Sequence, residues 1–311
     1  MVPGMKKLLG ALLFYGRFAV PFSRIGHRRR VRGPVEADFT GQRWVVTGAT
    51  GGIGRAIALG VAARGATVLA LARDAAKLEA LEREAGGTGR IDPVRVDLSS
   101  MHDLRSVASA IAGEGRVDVL VNNVGVMLHD FARTDEGVER SFATNLLGHW
   151  VLVGGLREGG ALDARSAIVS MSSGGMYGAA LALDQLEASD ADGHDGFLAY
   201  ARHKRAQVEL THHWNAQGPD APRAWVMHPG WVDTDGVKSS LPGFRKVFRR
   251  VLRSAEDGAD TALWLAAARP PVGEGIWLDR QRDPEHAFGF TPGGADAEAL
   301  AAWLRDRAAR A

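Results

Sequence analysis

The feature that most constrains this chain is an alternation that begins at Arg43. Short runs rich in β-branched and apolar residues, at 44–47, 67–72, 91–96, 117–121, 167–171 and 224–227, are separated by helical patterns near 53–64, 74–85, 101–112, 136–156 and 197–217. Runs this apolar are strands covered on both faces, and parallel strands need long crossover connections, which the helical stretches supply. The expected fold is α/β, a Rossmann-type doubly wound parallel β-sheet with helices on both faces, in a single domain over 39–311 behind an arm over 1–38. No internal repeat and no linker divides it. The Asp- and Gly-rich stretch 184–196 is expected to be a loop before the helix at 197.

There is no cysteine, which excludes disulfides, thiolate metal sites and cysteine nucleophiles, so the chemistry must use oxygen and nitrogen groups. No metal site is expected. His149, His194, His203, His212, His213 and His228 show no ligand spacing and read as surface or capping residues.

The first strand runs into Thr47-Gly48-Ala49-Thr50-Gly51-Gly52-Ile53-Gly54 and then directly into a helix. Glycines there permit a tight turn and let the backbone approach a pyrophosphate, which the free N–H groups and positive dipole end of the helix attract. The end of the second strand selects the dinucleotide: an acid pairs with a free 2′-hydroxyl, an arginine with a 2′-phosphate. The chain has Ala72-Arg73-Asp74 at this point. Arg73 therefore favours NADP(H) over NAD(H), with Asp74 as the acid if the register lies two residues on. Farther along, Tyr200 and Lys204 are four apart, on one face of a helix. There the ammonium can favour the phenolate and lower the tyrosine's pKa.

With Asp97-Leu98, Asn122-Asn123-Val124-Gly125, Asn145, Ser172-Ser173 and Pro229-Gly230-Trp231-Val232-Asp233-Thr234, these pieces stand in the order in which they occur in one family. From about residue 40 onward the chain resembles the classical short-chain dehydrogenase/reductases. The resemblance implies an NAD(P)-dependent oxidoreductase that moves a hydride between nicotinamide and a carbonyl or alcohol carbon. It implies Tyr200 as acid/base, with Lys204 lowering its pKa and holding the nicotinamide ribose. Ser173 would bind the substrate oxygen, with Ser172 as the alternative, and Asn145 would anchor a water that relays protons to Lys204. Thr47, Gly48, Gly52, Ile53, Gly54, Arg73, Asn123 and Gly125 would bind the cofactor, Asp97 and Leu98 would border its adenine, and Pro229, Gly230, Val232 and Thr234 would close over its nicotinamide.

Val124 replaces the usual alanine of its motif. Ser173 and Tyr200 are 27 residues apart, a long spacing that resembles the retinol-dehydrogenase-like branch. Two other readings stay open: a dinucleotide-sensing binding protein with catalysis lost, and a nucleotide-sugar epimerase or dehydratase, whose glycine spacing Gly48, Gly51 and Gly54 also meet.

Charge is unevenly placed. Residues 1–32 carry eight bases and no acid, leaving 30 bases against 36 acids in the rest of the chain. In a helix, Leu8, Leu12, Tyr15 and Ala19 of this arm would share one face, opposite Lys6, Gly10 and Arg17. The run is too short to span a bilayer, so the arm either packs on its own domain or lies at a membrane interface. Removal of residues 1–32 is expected to leave the fold intact. A basic amphipathic flap over 237–253, with Lys238, Arg245, Lys246, Arg249, Arg250 and Arg253, reads as a solvated charged face over an apolar one, suited to a lipophilic substrate. The expected protein is cytoplasmic, with peripheral membrane contact through 1–32 and a small-molecule partner. No nucleic-acid partner is expected, and a homo-oligomer is left open.

Overall fold

The computed structural model describes residues 14–289, 291 and 294–311. Strands β1 (Arg43–Thr47), β2 (Thr67–Ala72), β3 (Arg90–Arg95), β4 (Val119–Asn122), β5 (Ala167–Met171), β6 (Arg223–Met227), β7 (Ile276–Leu278) and β8 (Gln281–Asp283) form one sheet. Their order is β3-β2-β1-β4-β5-β6-β7-β8, parallel except for β8. The chain leaves β1 toward β2 on one side and comes back to β4 on the other. The carboxyl ends of β1 and β4 thus open a crevice at the point where the order reverses, where such sheets bind ligands.

Helices α3 (Gly52–Ala62), α4 (Ala75–Glu84) and α5 (Met101–Gly113) make the first three crossovers. The next runs as α6 (Arg140–Phe142), a π-helical turn over Ala143–Leu147, and α7 (Gly148–Glu158). Helix α8 (Gly196–Asn215) joins β5 to β6, α11 (Ala255–Ala268) precedes β7, and α12 (Ala297–Ala309) closes the chain. Successive strand residues point to opposite faces, so Val45, Leu120 and Ile168 pack with Leu104, Leu152 and Leu210 on one side. Val46, Val121 and Val169 pack with Ile57, Leu263 and Trp225 on the other.

The hairpin β7–β8 was not legible in the pattern. Its strands are three residues each, and the two turn residues, Asp279 and Arg280, have φ of 54° and 61°. That is a two-residue turn of the kind glycine or asparagine usually makes. Tertiary contacts hold it instead: Arg280 pairs with Asp260 at 2.5 Å, and Asp279 pairs with Arg253 at 2.6 Å.

Residues 14–22 are helical (α1), followed by α2 (Arg24–Arg30); Lys6, Leu8, Gly10 and Leu12 lie outside the described residues. Phe18 and Phe22 enter a third apolar cluster with Met176, Tyr177 and Val226. Arg253 fastens α1 to the body: its guanidinium donates to the carbonyls of Pro21, Phe22 and Pro229 and to both oxygens of Asp279. The expectation that residues 1–32 could be removed with the fold intact therefore fails, because Arg253 would lose its carbonyl partners and two buried phenylalanines would leave the core. The solvated reading of the flap charges fails for the same residue, since Arg253 is 2% exposed. The flap itself is two short helices, α9 (Asp235–Ser240) and α10 (Pro242–Phe248).

Candidate active site

A cavity of about 1320 Å³ opens at the switch point. One end is bounded by Gly48, Thr50 and Ile53 at the start of α3, by Ala72, Arg73 and Asp74 after β2, and by Asp97 and Leu98 after β3. Ser173, Tyr200, Pro229, Gly230, Val232 and Thr234 line its middle, and Phe14, Tyr15, Leu128, Phe197, Trp231 and Phe244 its apolar end.

Close backbone packing requires the glycines of the first loop. Gly48 has φ of 65°, and a Cβ on Gly54 would stand 2.3 Å from the Gly48 carbonyl oxygen. Helix α3 is preceded by Gly51 as its N-cap, with no side-chain cap and no acid in its first turn, so no side chain occupies its first amide groups. Ala72 is the last residue of β2, and the Asp74 carboxylate caps α4 through Lys77 N at 3.0 Å. Arg73 thus stands between them, exposed.

Of the expected cofactor residues, Thr47, Gly52 and Asn123 support the cavity from behind rather than line it, whereas Gly125 lines it. Thr47 Oγ1 accepts the backbone N–H groups of Asn123 and Val124 at 2.9 and 3.0 Å, and Asn123 Nδ2 donates to the Thr47 carbonyl at 2.8 Å. These bonds tie the β1 loop to the end of β4. Gly52 lies under Thr234, where a Cβ would meet Thr234 Cγ2 at 3.0 Å, and a Cβ on Gly125 would meet Lys204 Nζ at 3.1 Å. On the opposite wall, Gly230 has φ of 73°, and a Cβ there would strike the Arg253 guanidinium at 2.5 Å.

Helix α8 brings Tyr200 and Lys204 to one face, and the end of β5 brings the serines to them. Ser173 and Tyr200 line the same cavity wall, and the Ser173 Oγ accepts the Gly175 backbone N–H at 3.3 Å. Ser172 Oγ instead donates to the Lys204 carbonyl at 2.7 Å, anchoring α8 to the sheet. Lys204 is buried, its ammonium 5.6 Å from the Tyr200 ring centroid, donating to the Met171 carbonyl at 2.5 Å and to Gln207 Oε1 at 3.3 Å. Burial pulls its pKa down to about 7. Burial also pushes the Tyr200 phenol above its ordinary value, partly offset by the nearby Ser173 hydroxyl. Against the expected lowering of Tyr200 by Lys204, the net direction at the phenol is upward because burial dominates there, with the ammonium beside the ring.

Asn145 lies in the π-helical turn, a feature often found at functional sites. Its amide bonds the Val126 backbone on both sides, at 2.7 and 2.8 Å. Its main-chain carbonyl accepts Gln207 Nε2 at 2.9 Å. The histidines also depart from expectation: His149, His203, His213 and His228 are buried, not surface residues. Burial, with the Lys204 charge adding to it, pulls His149 down to about 3 and His203 down to about 4. Both are therefore neutral beside the lysine. Gln207 and the paired Arg253 and Asp279 were missed by sequence reasoning; only Gln207 carried a signal, being three residues beyond Lys204 on the same helical face.

The family model described as short chain dehydrogenase matches residues 42–181. Dehydrogenase/reductase SDR family member 12 of Homo sapiens is 38% identical over 272 residues, covering 85% of this chain and 84% of that protein. The chain belongs to the short-chain dehydrogenase/reductase family. Within it the likeness is to the retinol-dehydrogenase-like branch: retinol dehydrogenase 13 of Mus musculus is 32% identical, over 76% of this chain and 74% of that protein. A solved structure from Beutenbergia cavernae, described as a candidate NAD(P)-dependent gluconate 5-dehydrogenase with NADP bound at low occupancy, superposes with a TM-score of 0.56. It shares 29% identity and covers 76% of this chain and 92% of that one. As a short-chain dehydrogenase/reductase, the protein is an oxidoreductase built on an NAD(P)-binding Rossmann fold. No helix among the described residues is long and apolar enough to cross a membrane.

Proposed function

We propose that this enzyme interconverts a lipophilic alcohol and its carbonyl compound with NADP(H), using Tyr200 as the acid/base. The observation that carries the reading is that Ser173 and Tyr200 line the same cavity wall, with Lys204 behind the phenol ring. The uncapped start of α3 and the glycines packed beneath it suit a dinucleotide pyrophosphate. Arg73 beside Ala72 on the cavity wall supports the reading of a 2′-phosphate, and Pro229 to Thr234 that of the nicotinamide end. A bound nicotinamide supplies or accepts the hydride.

When a carbonyl is reduced, negative charge grows on its oxygen and must meet donors already in position. The Tyr200 hydroxyl gives that oxygen its proton, and Ser173 holds it by a second hydrogen bond. In the reverse direction Tyr200 Oη takes the alcohol proton, and the Lys204 ammonium stabilises the phenolate that forms. Asn145 braces the 126 region through its two amide bonds. Tyr15, Leu128, Phe197, Trp231 and Phe244 give the far end an apolar lining, which is why a lipophilic substrate is proposed. Beside that end, exposed Lys246, Arg249 and Arg250 on and after α10 add to the bases of the arm, in keeping with peripheral contact of residues 1–32 with an anionic membrane. The sensor and epimerase readings gain no supporting observation.

The test is NADPH oxidation against a panel of retinoid, steroid and fatty carbonyl compounds, with Tyr200→Phe as control. Turnover is expected to fall roughly 10²- to 10⁴-fold in that variant, the usual worth of a general acid, with cofactor binding retained. A Tyr200→Phe protein that keeps near-native turnover overturns the reading.

A further inference from the structure

Lys204, Tyr200 and Gln207 occupy positions i, i−4 and i+3 of α8, so all three project from one helical face. Gln207 is 2% exposed, and every polar atom of its side chain is engaged. Its Nε2 donates to the Asn145 carbonyl at 2.9 Å and to His149 Nδ1 at 3.1 Å, and its Oε1 accepts from Lys204 Nζ at 3.3 Å. The orientation of this amide is dictated by its neighbours. An ammonium can only donate and a carbonyl can only accept, so the oxygen must face Lys204 and the nitrogen must face Asn145.

We propose that Gln207 is a positioning residue of this site, its amide tying the Lys204 ammonium to the Asn145 carbonyl and to His149 in the place where the family resemblance implies a relaying water. The inference rests on the reading of Tyr200 and Lys204 as the working pair. Lys204 has burial as the sole cause of its depressed pKa, with no carboxylate countering it. The titratable groups around it are Tyr200 and His203 on α8 and His149 on α7, and both histidines are neutral. The Gln207 oxygen and the Met171 carbonyl are therefore the dipoles that hold the proton on the amine. A water in that position can pass a proton along; a fixed amide holds one end and donates from the other. The lysine is thus aimed, with these dipoles favouring its charged form, while proton exchange with solvent takes place on the cleft side, at the phenol.

The test compares Gln207→Met with Gln207→Ala. Methionine fills the same volume without an amide. Alanine leaves a space with three polar partners, Lys204 Nζ, the Asn145 carbonyl and His149 Nδ1, the surroundings that an internal water needs. Two quantities are read: kcat and KM on whichever panel alcohol the native enzyme oxidises, and the ultraviolet titration of the Tyr200 phenol, obtained as the difference from Tyr200→Phe in the same background. Gln207→Met should lower kcat about tenfold with KM little changed, and should move the phenol titration up by about one unit, as loss of a neighbouring positive charge does. Gln207→Ala, the larger truncation, should lie closer to the native enzyme in both. A residue that merely packs gives the reverse order, alanine worse than methionine in step with melting temperature, and that order overturns the proposal. So does an unchanged phenol titration in Gln207→Met. If Gln207→Met does not fold, Gln207→Asn replaces it; its shorter amide cannot reach both Lys204 and Asn145, so a native titration there overturns the proposal and an upward shift supports it. If the native protein oxidises nothing in the panel, the proposed activity fails by itself, while the titration, which needs no substrate, still decides Gln207.

Discussion

Lys204 and Arg253 are both buried cations lying within the shell of the same cavity, and the fold treats them in opposite ways. Arg253 faces the buried carboxylate of Asp279 through two bonds of 2.6 and 2.9 Å, with backbone carbonyls taking its remaining donors. Burial pushes Asp279 up, but hydrogen bonds from His27 and Arg253 outweigh it and hold the carboxyl below its ordinary range. Lys204 has only neutral dipoles, and its pKa falls to about 7. Arg253, paired with a carboxylate, works as a rivet between α1, the loop at Pro229 and the β7–β8 turn. A cation without one is poised near neutrality, where its charge answers to whatever enters the cavity.

The difference predicts opposite outcomes on removal. Lys204→Met should lower turnover by roughly 10²-fold or more, because the phenolate loses its stabilising charge, and cofactor affinity should fall with it. Asp279→Ala should leave the chemistry of any folded enzyme in place but cost about 3–5 kcal/mol of stability, the usual penalty for stranding a buried partner. Chemical denaturation of the two variants, set beside their kcat values, checks the pairing. If Asp279→Ala unfolds at the native midpoint, Arg253 is not a rivet.

A smaller effect follows from the sign of the Lys204 shift. Its folded value, about 7, lies below its ordinary value of 10.5. Between those two pH values the unfolded chain holds a proton that the folded protein has lost, so this group makes native stability rise with pH across that window. Below it the burial penalty is present in full; above it the penalty is gone. Lys204→Met should therefore melt higher than the native enzyme at pH 6, with the gap closing as pH approaches 10. A gap that widens with pH means the lysine has an anionic partner, and the contrast with Arg253 collapses. Asp279 has the same sign in a lower window: its contribution is complete above pH 3.8 and lost as pH falls through its lower folded value.

What could be read from the sequence divides along the same line. The glycine-lined end of the cavity was legible because it rests on backbone: Gly48 and Gly230 must adopt positive φ, and Gly54 must let Asn123 and Gly48 approach. Such demands restrict residue type at fixed spacings. The strands of the sheet interior were legible from their apolar runs. By contrast, Arg253 and Asp279 are 26 positions apart and Phe22 lies farther still, so no local pattern announces that they meet. The histidines misled because a helix that is buried on most sides, as α8 is, places polar residues inside where another helix can satisfy them. The region around Asn145 read simply as helix, since a π-helical turn adds one residue to the winding without changing the composition.

Arg73 extends the comparison to a cation at the rim, where the expected effect is smallest. It follows the last residue of β2, is exposed, and shares its corner with Arg95, whose Nε donates to the Arg73 carbonyl at 3.3 Å. Asp74, the acid that could have served a 2′-hydroxyl, is committed to the start of α4 through Lys77 N. Solvent screens an exposed charge, so Arg73 gains from a 2′-phosphate mainly through hydrogen bonds directed at that group. Arg73→Ala should weaken NADPH binding about tenfold, roughly 1.4 kcal/mol, and leave NADH nearly unchanged. Its melting temperature should match the native protein, unlike Asp279→Ala. Calorimetric titration with each dinucleotide, and with 2′,5′-ADP against 5′-ADP, isolates the phosphate contribution from the nicotinamide end. Raising the salt should shrink the native preference for the 2′-phosphate ligand, because this charge, unlike Lys204 and Arg253, is open to counterions. An equal loss for both dinucleotides would mean that Arg73 shapes the adenine side of the cavity, and selection between the two cofactors would then have to come from elsewhere in the corner that it shares with Arg95.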